Sequence, residues 1–168
     1  MRPMAVSLAA PAGYRRLAVP LRGIVRAVLA REQRRAGEIA IVLVGDEALR
    51  ELNRRWRRID RATDVISFAY DEHEPDAATR PVAGDLVVSM DRVEAQARRF
   101  RVTRGAELAR LVVHGTLHLC GHDHAQAGER RVMRAREDTT LRGVRALVKR
   151  LDAAWPAGPG TPLAKGRR

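Results

Sequence analysis

The chain has little cysteine, few aromatic residues, almost no lysine and no long apolar run, and each shortage narrows the class of protein. Cys120 is the only cysteine, so no disulfide can form within the 168 residues and nothing indicates an oxidising compartment. Apolar runs stay well below the length of a membrane span, and 31% of the residues are charged. The sequence therefore predicts a soluble, cytoplasmic protein with no membrane partner.

Enough apolar residues remain for a folded core. Hydrophobic residues make up 45% of the chain, which excludes the disordered class for most of its length. We expect one domain over residues 1–152 and a disordered basic tail over residues 153–168, which are rich in proline, glycine and small side chains. Pro11 and Gly13 interrupt the short apolar stretch near the N-terminus, so we expect this segment to be retained rather than cleaved as a signal peptide.

Positive charge is abundant and is carried by arginine. All but two of the 32 basic residues are arginines, and the formal net charge is +12. Because guanidinium groups grip phosphate with two parallel hydrogen bonds, this charge is compatible with nucleic acid or another polyanion. A chain rich in alanine and arginine also arises from coding bias, so charge alone does not establish such a partner. Aromatic residues form only 4% of the chain, which favours recognition of backbone and shape over base stacking.

Apolar periodicity predicts an α+β fold, with a mixed four-stranded sheet covered by about five helices. The predicted strands are residues 4–9, 39–44, 65–70 and 86–88. The predicted helices are residues 18–33, 46–57, 91–99, a helix from Ala106 to a stop at Gly121, and a last long helix from Met133 to Leu151. The strand over residues 39–44 is continuous and rich in β-branched residues, so it is expected to be buried on both faces.

Three histidines follow a metal-ligand spacing. Residues 114–124 read His-Gly-Thr-Leu-His-Leu-Cys-Gly-His-Asp-His, which places His114, His118 and His124 in a His-x3-His-x5-His pattern. On a helix the first two lie one turn apart on the same face, and Gly121 permits the positive φ that turns the chain back toward them. Three neutral imidazoles with an open fourth position are typical of a catalytic zinc site, so we predict one Zn²⁺ held by these residues and a water.

Other residues of this segment have competing interpretations. His122 could replace His124 as the third ligand, but it lies closer to the turn itself. Cys120 lies two residues from His118, which turns it away from the histidine face, so we expect a small packed residue. Asp123 could either orient a ligand imidazole or cap the turn.

The same spacing resembles that of the metzincin metalloproteases. In those enzymes a glutamate directly follows the first histidine and acts as general base, and here that position is Gly115. A zinc protease without this carboxylate lacks the group that deprotonates the attacking water and protonates the leaving amine. Peptide hydrolysis is therefore the weaker alternative.

Together with two upstream segments, the histidine block resembles the signature of the YbeY family of bacterial single-strand-specific endoribonucleases. The upstream segments are Leu52-Asn-Arg-Arg-Trp-Arg57 with Thr63-Asp-Val-Ile-Ser-Phe68, and Gly84-Asp-Leu-Val-Val-Ser89, so the resemblance spans residues 38–150. It implies a small α+β, zinc-dependent hydrolase of single-stranded RNA that acts in ribosomal RNA maturation and ribosome quality control. The implied partners are ribosomal RNA and the ribosome or its small subunit. A non-catalytic ribosome-assembly factor with a structural metal stays open as an alternative.

The resemblance also assigns roles to individual residues. It implies that His114, His118 and His124 bind the metal and that Arg57 faces the site, which makes Arg57 and His114 the predicted catalytic residues. Without the resemblance, Arg57 does not stand out from the arginines at positions 54, 55, 58 and 61, any of which could be a surface charge. A guanidinium beside an open metal site would stabilise the dianionic transition state of phosphodiester cleavage.

Two arginine clusters flank the metal helix in the sequence and are candidates for holding an RNA backbone. They consist of Arg98, Arg99, Arg101 and Arg104, and of Arg130, Arg131, Arg134 and Arg136. Helical surfaces carry such charges routinely, so the sequence does not choose between a binding role and a solvated surface. Thr63-Asp64 and Gly84-Asp85 are expected to be turns that lead into strands.

Overall fold

The computed structural model describes residues 6–70 and 73–157, which form a four-stranded sheet and six α-helices. The strands are β1 (Val6–Ala9), β2 (Ala36–Val44), β3 (Val65–Ala69) and β4 (Val82–Ser89). The helices are α1 (Ala18–Arg31), α2 (Asp46–Arg57), α3 (Met90–Phe100), α4 (Arg104–Leu119), α5 (Ala127–Gly143) and α6 (Arg145–Ala154), with a 3-10 helix (Ala12–Leu17) before α1. Within these ranges no helix combines the length and the apolar character needed to cross a membrane.

The sheet has the strand order β1-β2-β4-β3, which confirms the predicted mixed four-stranded sheet of an α+β fold. β1, β2 and β4 run parallel, and α1 provides the crossover that parallel neighbours β1 and β2 require. β3 pairs antiparallel with β4, with Ser67 opposite Leu86 and Phe68 opposite Asp85. Because β3 is the last strand in the order, one side of it has no strand partner among the described residues, and it borders the site described below.

The main core lies on one face of the sheet. On β2 the side chains of Ile39, Ile41 and Leu43 are buried and pack with α1 and α4, whereas Val42 and Val44 on the opposite face are only partly buried. The expectation that this strand is buried on both faces is therefore wrong. The second face is covered less completely because α2, which packs there, contributes only Leu49 as a fully buried apolar side chain.

α4 is the central helix and carries the predicted metal ligands. The Thr103 side chain caps its N-terminus by accepting a hydrogen bond from the Ala106 backbone N–H at 3.1 Å. Further along α4, a Cβ atom at Gly115 would lie 2.9 Å from Cδ2 of Leu86 on β4, so the helix approaches the sheet closely at this point. This approach fixes the height of the neighbouring His114 above β3 and β4.

The last long helix of the prediction is in fact two helices. α5 ends at Gly143 and α6 begins at Arg145, with Val144 buried where the chain bends. Glycine is a poor helix former and favours a helix end at this position, and the bend lets Val144 join the core. The structure thus has one α-helix more than the five expected.

The C-terminal end of the fold also differs from the expectation. Ala153 and Ala154 belong to α6, and Trp155 packs edge-on against Tyr14 with ring centroids 6.0 Å apart. Helical structure therefore continues past Asp152, after which a disordered tail is expected from the sequence. Residues 158–168 of the predicted tail, and residues 4 and 5 of the first predicted strand, lie outside the described residues.

Candidate metal centre

α4 carries two histidines on one face. His114 and His118 are separated by one helical turn, so their rings lie one above the other, with Nε2 atoms 3.1 Å apart and ring centroids 4.7 Å apart. Both residues are partly buried, between the packed part of α4 and the surface. They form two sides of a common centre.

The end of α4 turns the chain back toward these rings. Gly121 has a φ of 100°, a left-handed conformation that side chains other than glycine rarely adopt. Its N–H donates to the carbonyl of His118 at 2.9 Å, and the N–H of His122 donates to the carbonyl of Leu117 at 3.1 Å. These two bonds form a Schellman motif, which satisfies the last carbonyls of the helix and reverses the chain direction. The reversal brings His124 to the centre, as the glycine in the sequence predicts.

The three imidazoles converge. The ring centroid of His124 lies 5.5 Å from that of His114 and 4.9 Å from that of His118, and the candidate ligand nitrogens all lie within 4.8 Å of one another. A tetrahedral zinc with Zn–N bonds of about 2.0–2.1 Å requires nitrogen separations of about 3.4 Å, so small side-chain movements suffice for coordination. Among residues 6–70 and 73–157, no fourth His, Cys, Asp or Glu joins the group. The donor set fits a metal with one position left for solvent or substrate.

The protonation state of His118 suits a metal. Burial, together with the neighbouring His114 and His124, lowers the pKa of His118 to about 4. At neutral pH the His118 ring is therefore uncharged and keeps a nitrogen lone pair free. Metal ligation requires this neutral form.

A carboxylate from another helix orients His114. Glu137 on α5 forms a hydrogen bond with Nδ1 of His114, so Nε2 of that ring faces the cluster. Carboxylates in this position fix the orientation of a ligand histidine and raise its basicity. The sequence alone does not single out Glu137, although it contains one signal. Met133 is buried, and Glu137 lies one turn further along the same inward face of α5.

The structure separates the other residues of the segment from the centre. Nε2 of His122 lies 2.7 Å from Oε2 of Glu32, the residue that follows α1, so His124 and not His122 joins the cluster. The carboxylate of Asp123 accepts a hydrogen bond from the backbone N–H of His124 at 2.7 Å, which supports the turn-capping interpretation. Cys120 packs against the core, and burial raises the pKa of its thiol to about 12.

A cavity of about 540 Å³ opens over the three histidines, and Arg57 lines it. Arg57 is the last residue of α2, and Arg58 after it adopts a left-handed conformation with a φ of 57°, which ends the helix. The guanidinium of Arg57 has no hydrogen bond or ion pair with any described residue. The cavity, called the metal cavity below, therefore places an uncommitted cation opposite the imidazoles.

Neighbouring arginines are engaged elsewhere. Arg50 pairs with Asp60 at 2.8 Å and Arg54 pairs with Glu51 at 2.8 Å, while the guanidinium of Arg55 lies 5.9 Å from the ring centre of Trp56. None of these three arginines lines the metal cavity. Of the arginines in this stretch, Arg57 alone lines the cavity that contains the histidines.

The turn before β3 forms part of the cavity wall. Thr63 and Asp64 line the metal cavity, and the Asp64 carboxylate accepts hydrogen bonds from the Val65 backbone N–H at 2.9 Å and from the Gln96 side chain at 3.3 Å. These bonds fit the expected role of a turn leading into a strand. The second expected turn, Gly84-Asp85, lies instead within β4. A Cβ at Gly84 would lie 2.3 Å from the carbonyl oxygen of Phe68, so the two strands approach closely there.

The position of a metzincin general base is sterically closed. A Cβ at Gly115 would lie 2.9 Å from Cδ2 of Leu86 and 3.1 Å from Oγ of Ser67, which itself donates to the Gly115 carbonyl at 3.1 Å. A glutamate at this position would force the buried Leu86 side chain to shift and would crowd the Ser67 hydroxyl that bonds to α4. The site therefore lacks the carboxylate, and the packing against β3 and β4 disfavours adding it.

Known proteins match the part of the chain that contains the histidines and Arg57. The model of the family described as "Endoribonuclease YbeY" matches residues 15–145. A curated relative named Endoribonuclease YbeY from Anaeromyxobacter sp. (strain Fw109-5) is 44% identical over 128 residues, covering 76% of this chain and 65% of the relative. Relatives of the same name from Myxococcus xanthus and Desulfitobacterium hafniense are 42% and 39% identical, covering 73% and 71% of this chain and 42% and 79% of their own lengths.

A solved structure extends the likeness to the fold. The solution structure of TM1509 from Thermotoga maritima matches with a TM-score of 0.61 and 26% identity, covering 93% of this chain and 98% of that one. The chain spans less than two thirds of the length of the Anaeromyxobacter and Myxococcus relatives. Since the family model matches well over half of the chain and includes all three histidines, the chain belongs to the endoribonuclease YbeY family.

Proposed function

We propose that the chain is a zinc-dependent endoribonuclease that cleaves single-stranded RNA, with His114, His118 and His124 as metal ligands and Arg57 as a catalytic residue. The observation that carries the proposal is the metal cavity, in which three converging imidazoles face an arginine that has no other described partner. The name carried by the relatives, Endoribonuclease YbeY, supports the same activity. By the same resemblance, the substrate is ribosomal RNA and the process is ribosomal RNA maturation and ribosome quality control.

Arg57 has the chemistry that phosphodiester cleavage needs. Its planar guanidinium can donate two parallel hydrogen bonds to the non-bridging oxygens of a phosphate. These oxygens gain negative charge as the transition state forms, so a fixed guanidinium stabilises the transition state more than the substrate. Arg57 therefore positions the scissile phosphate and stabilises the charge that develops on it.

The histidines would hold a metal in the same cavity that Arg57 lines. When bound, zinc supplies Lewis acidity toward a phosphodiester oxygen and provides a nucleophile at neutral pH. Zinc suits three imidazole donors with one open position. His114, oriented by Glu137, is both a ligand and a wall of the metal cavity, so its ring sets the distance between the ligand group and the substrate.

A protease is disfavoured by the closed position at Gly115. Without a carboxylate next to the first histidine, nothing on α4 can move a proton to a leaving amine. A phosphodiester does not require that same group on that helix, because a metal held by the histidines would stabilise the negative charge on the leaving oxygen directly. The donor set and the missing base both favour phosphate chemistry.

Two nucleophiles are compatible with this cavity, and the product ends distinguish them. Attack by a water leaves a phosphate beside a free hydroxyl, whereas attack by the adjacent ribose 2′-hydroxyl leaves a cyclic phosphate. Mass spectrometry of the cleaved oligonucleotide identifies the ends. Replacing the 2′-hydroxyl by hydrogen at the cleavage site abolishes only the second route.

Metal analysis beside an RNA-cleavage assay tests the proposal. The wild type is expected to carry one zinc per chain and to cut unstructured RNA, His124→Ala to lose both, and Arg57→Ala to keep the metal but lose cleavage about 10²- to 10³-fold. Structured RNA and casein are the comparison substrates. Peptide cleavage without RNA cleavage would overturn the proposal.

The same assay distinguishes the non-catalytic alternative. A ribosome-assembly factor with a structural metal would lose its fold together with the metal and would cut no RNA. If His114→Ala keeps the fold and RNA binding but loses cleavage, the metal is catalytic. A cytoplasmic location belongs to this proposal, because ribosomal RNA is its substrate and the single cysteine needs no oxidising compartment.

A further inference from the structure

We propose that a groove beside the metal cavity binds backbone phosphates of the RNA that flanks the scissile bond. The proposal rests on the endoribonuclease function above and assigns the surface that holds the substrate. The groove, called the α5 groove, has a volume of about 560 Å³. Its wall on α5 contains Arg130, Arg131 and Arg134, and the facing wall contains Arg110, His114 and His124.

The α5 groove and the metal cavity meet at the histidines. His114 and His124 line both depressions, so a chain that passes over the metal cavity continues into the groove without leaving the surface. Arg57 lies in the metal cavity, whereas the α5 arginines lie in the groove. Cationic side chains are thus available on both sides of the imidazoles, as a polyanion bound across them requires.

The orientation of α5 is fixed by contacts independent of any ligand. Glu137 holds one end of the groove wall against His114, and the side chain of Glu129 accepts a hydrogen bond from the Gln126 backbone N–H at 3.0 Å in a capping box at the other end. Arg130, Arg134 and Glu137 follow helical spacing, so the contact of Glu137 with α4 aligns both arginines over the groove. Arg130 and Arg134 are one turn apart, about 6 Å along the helix axis.

The three groove arginines have no carboxylate partner among the described residues. Arg131 and Arg134 make no side-chain hydrogen bond or ion pair there, and Arg130 reaches only the carbonyls of His124 and Ala125, each at 3.4 Å. All three are exposed. Their guanidinium groups can therefore bind phosphate without breaking an ion pair.

The other arginines near the groove are committed. Arg110 donates to Glu107, a nearly fully buried carboxylate, at 2.7 Å, and Arg136 donates to Glu32 at 2.9 Å. The first pair lies within α4, and the second joins α5 to the residue that follows α1. The structure thus divides the second arginine cluster of the sequence into three binding residues and one structural residue.

The first arginine cluster does not adjoin the site. Arg98 and Arg104 pair with Glu94, which is nearly buried, and Arg99 lies over the ring of Phe100 at 5.6 Å. No member of this cluster lines the metal cavity or the α5 groove. The geometry therefore selects the α5 arginines of the two candidate clusters.

The test measures how binding depends on salt. The probe is a fluorescent 2′-O-methyl oligouridine of about 12 nucleotides, which binds as single-stranded RNA and resists attack by its own 2′-oxygen. Each phosphate contact contributes about 0.7 to the slope of log K against log salt for a single strand. The triple variant Arg130→Gln, Arg131→Gln, Arg134→Gln should reduce the slope by about 2 and weaken binding about tenfold or more at about 50 mM salt.

A matched variant removes the same charge from another surface. Arg145, Lys149 and Arg150 on α6 are exposed, have no ion pair among the described residues and line neither depression. Their triple replacement by glutamine should leave the slope within about 0.5 of the wild type. Circular dichroism confirms that both variants are folded.

Cleavage of ordinary RNA separates this proposal from the proposed function. The α5 triple variant should raise KM while changing kcat little, because the groove holds parts of the RNA that do not react. Equal slopes for the α5 and α6 variants, or an unchanged slope for the α5 variant, would overturn the groove while wild-type cleavage keeps the function. A wild type that binds the probe but cuts no RNA would overturn the function alone.

Discussion

Glu137 on α5 lies against Nδ1 of His114 on α4, and this contact joins the histidine cluster to a helix that provides no ligand. It links two separate properties of the molecule. The carboxylate orients the first ligand, and the same contact sets the rotation of the helix that bears the groove arginines. Changes at Glu137 should therefore affect metal affinity directly and RNA binding indirectly.

Removal of the charge at Glu137 should weaken metal binding. Glu137→Gln keeps the size of the side chain but removes the negative charge behind the His114 ring, and we expect zinc affinity to fall about 10- to 100-fold. Competition with a chromophoric chelator measures the change. Asp138→Asn, at the exposed neighbouring position, is the matched control and should leave the affinity unaltered.

The two histidines of the turn should behave differently. His124→Ala should abolish stoichiometric zinc, whereas His122→Ala should retain it, because His122 contacts Glu32 and stands outside the cluster. His122→Ala removes a partly buried partner of Glu32, so we expect a lower melting temperature with zinc still bound. Zinc retained by His124→Ala and lost by His122→Ala would reverse the assignment of the third ligand.

The turn after α4 should tolerate no side chain. Gly121→Ala forces a Cβ into a left-handed conformation and should destabilise the fold by about 1–2 kcal/mol, although no atom lies within 4 Å of the added carbon. Gly128→Ala, on α5 and equally free of close atoms, should stabilise the fold by about 0.5–1 kcal/mol. Urea unfolding of the two variants measures the difference. Equal stabilities would show that the positive φ is not required.

The tyrosines should ionise at a higher pH in the folded protein than in the unfolded chain. The hydrogen bond to Asp85 raises the pKa of Tyr70 to about 12, and burial raises the pKa of Tyr14. Both phenols should therefore stay protonated in the native state at a pH near 10, where unfolded chains ionise. The raised pKa values therefore stabilise the folded state fully below pH 10, and this stabilisation is lost as the pH rises toward 12.

Near-ultraviolet absorbance of tyrosinate follows this titration, with circular dichroism to confirm the fold. The sequence contains two tyrosines, so at most two titration steps contribute to the signal. Asp85→Asn removes the charged acceptor and should return one tyrosine to an ordinary pKa. Two phenols that titrate near pH 10 in a folded chain would contradict the prediction.

The sequence predicts the three-histidine cluster well because the information that specifies it is local. The spacing of His114 and His118 on a helix, and the glycine at position 121, specify most of the geometry within a single segment. The sheet is predicted for a similar reason, since each strand is a separate apolar run. Arg57 is distinguished from its neighbours only by the family resemblance, because helical spacing alone leaves several arginines equivalent.

The features that the sequence does not predict depend on contacts between residues that are far apart in the chain. Glu137 contacts His114 only when α5 packs against α4. The same packing places Arg134 in the α5 groove and Arg136 against Glu32. The chain bends at Val144 because this side chain is buried in the core, not because valine itself favours the end of a helix. Apolar spacing continues through Gly143, so periodicity alone joins the two helices.

All three candidate ligands lie between positions 114 and 124, and this compactness has a thermodynamic consequence. If these imidazoles bind a metal, we expect the denatured chain to retain part of the affinity, because they stay close together along the backbone. Loading with the metal should then raise the melting temperature by less than the native dissociation constant alone implies. Folding adds affinity by forming the helix and the turn that make the three rings converge, and by bringing the carboxylate of Glu137 to His114.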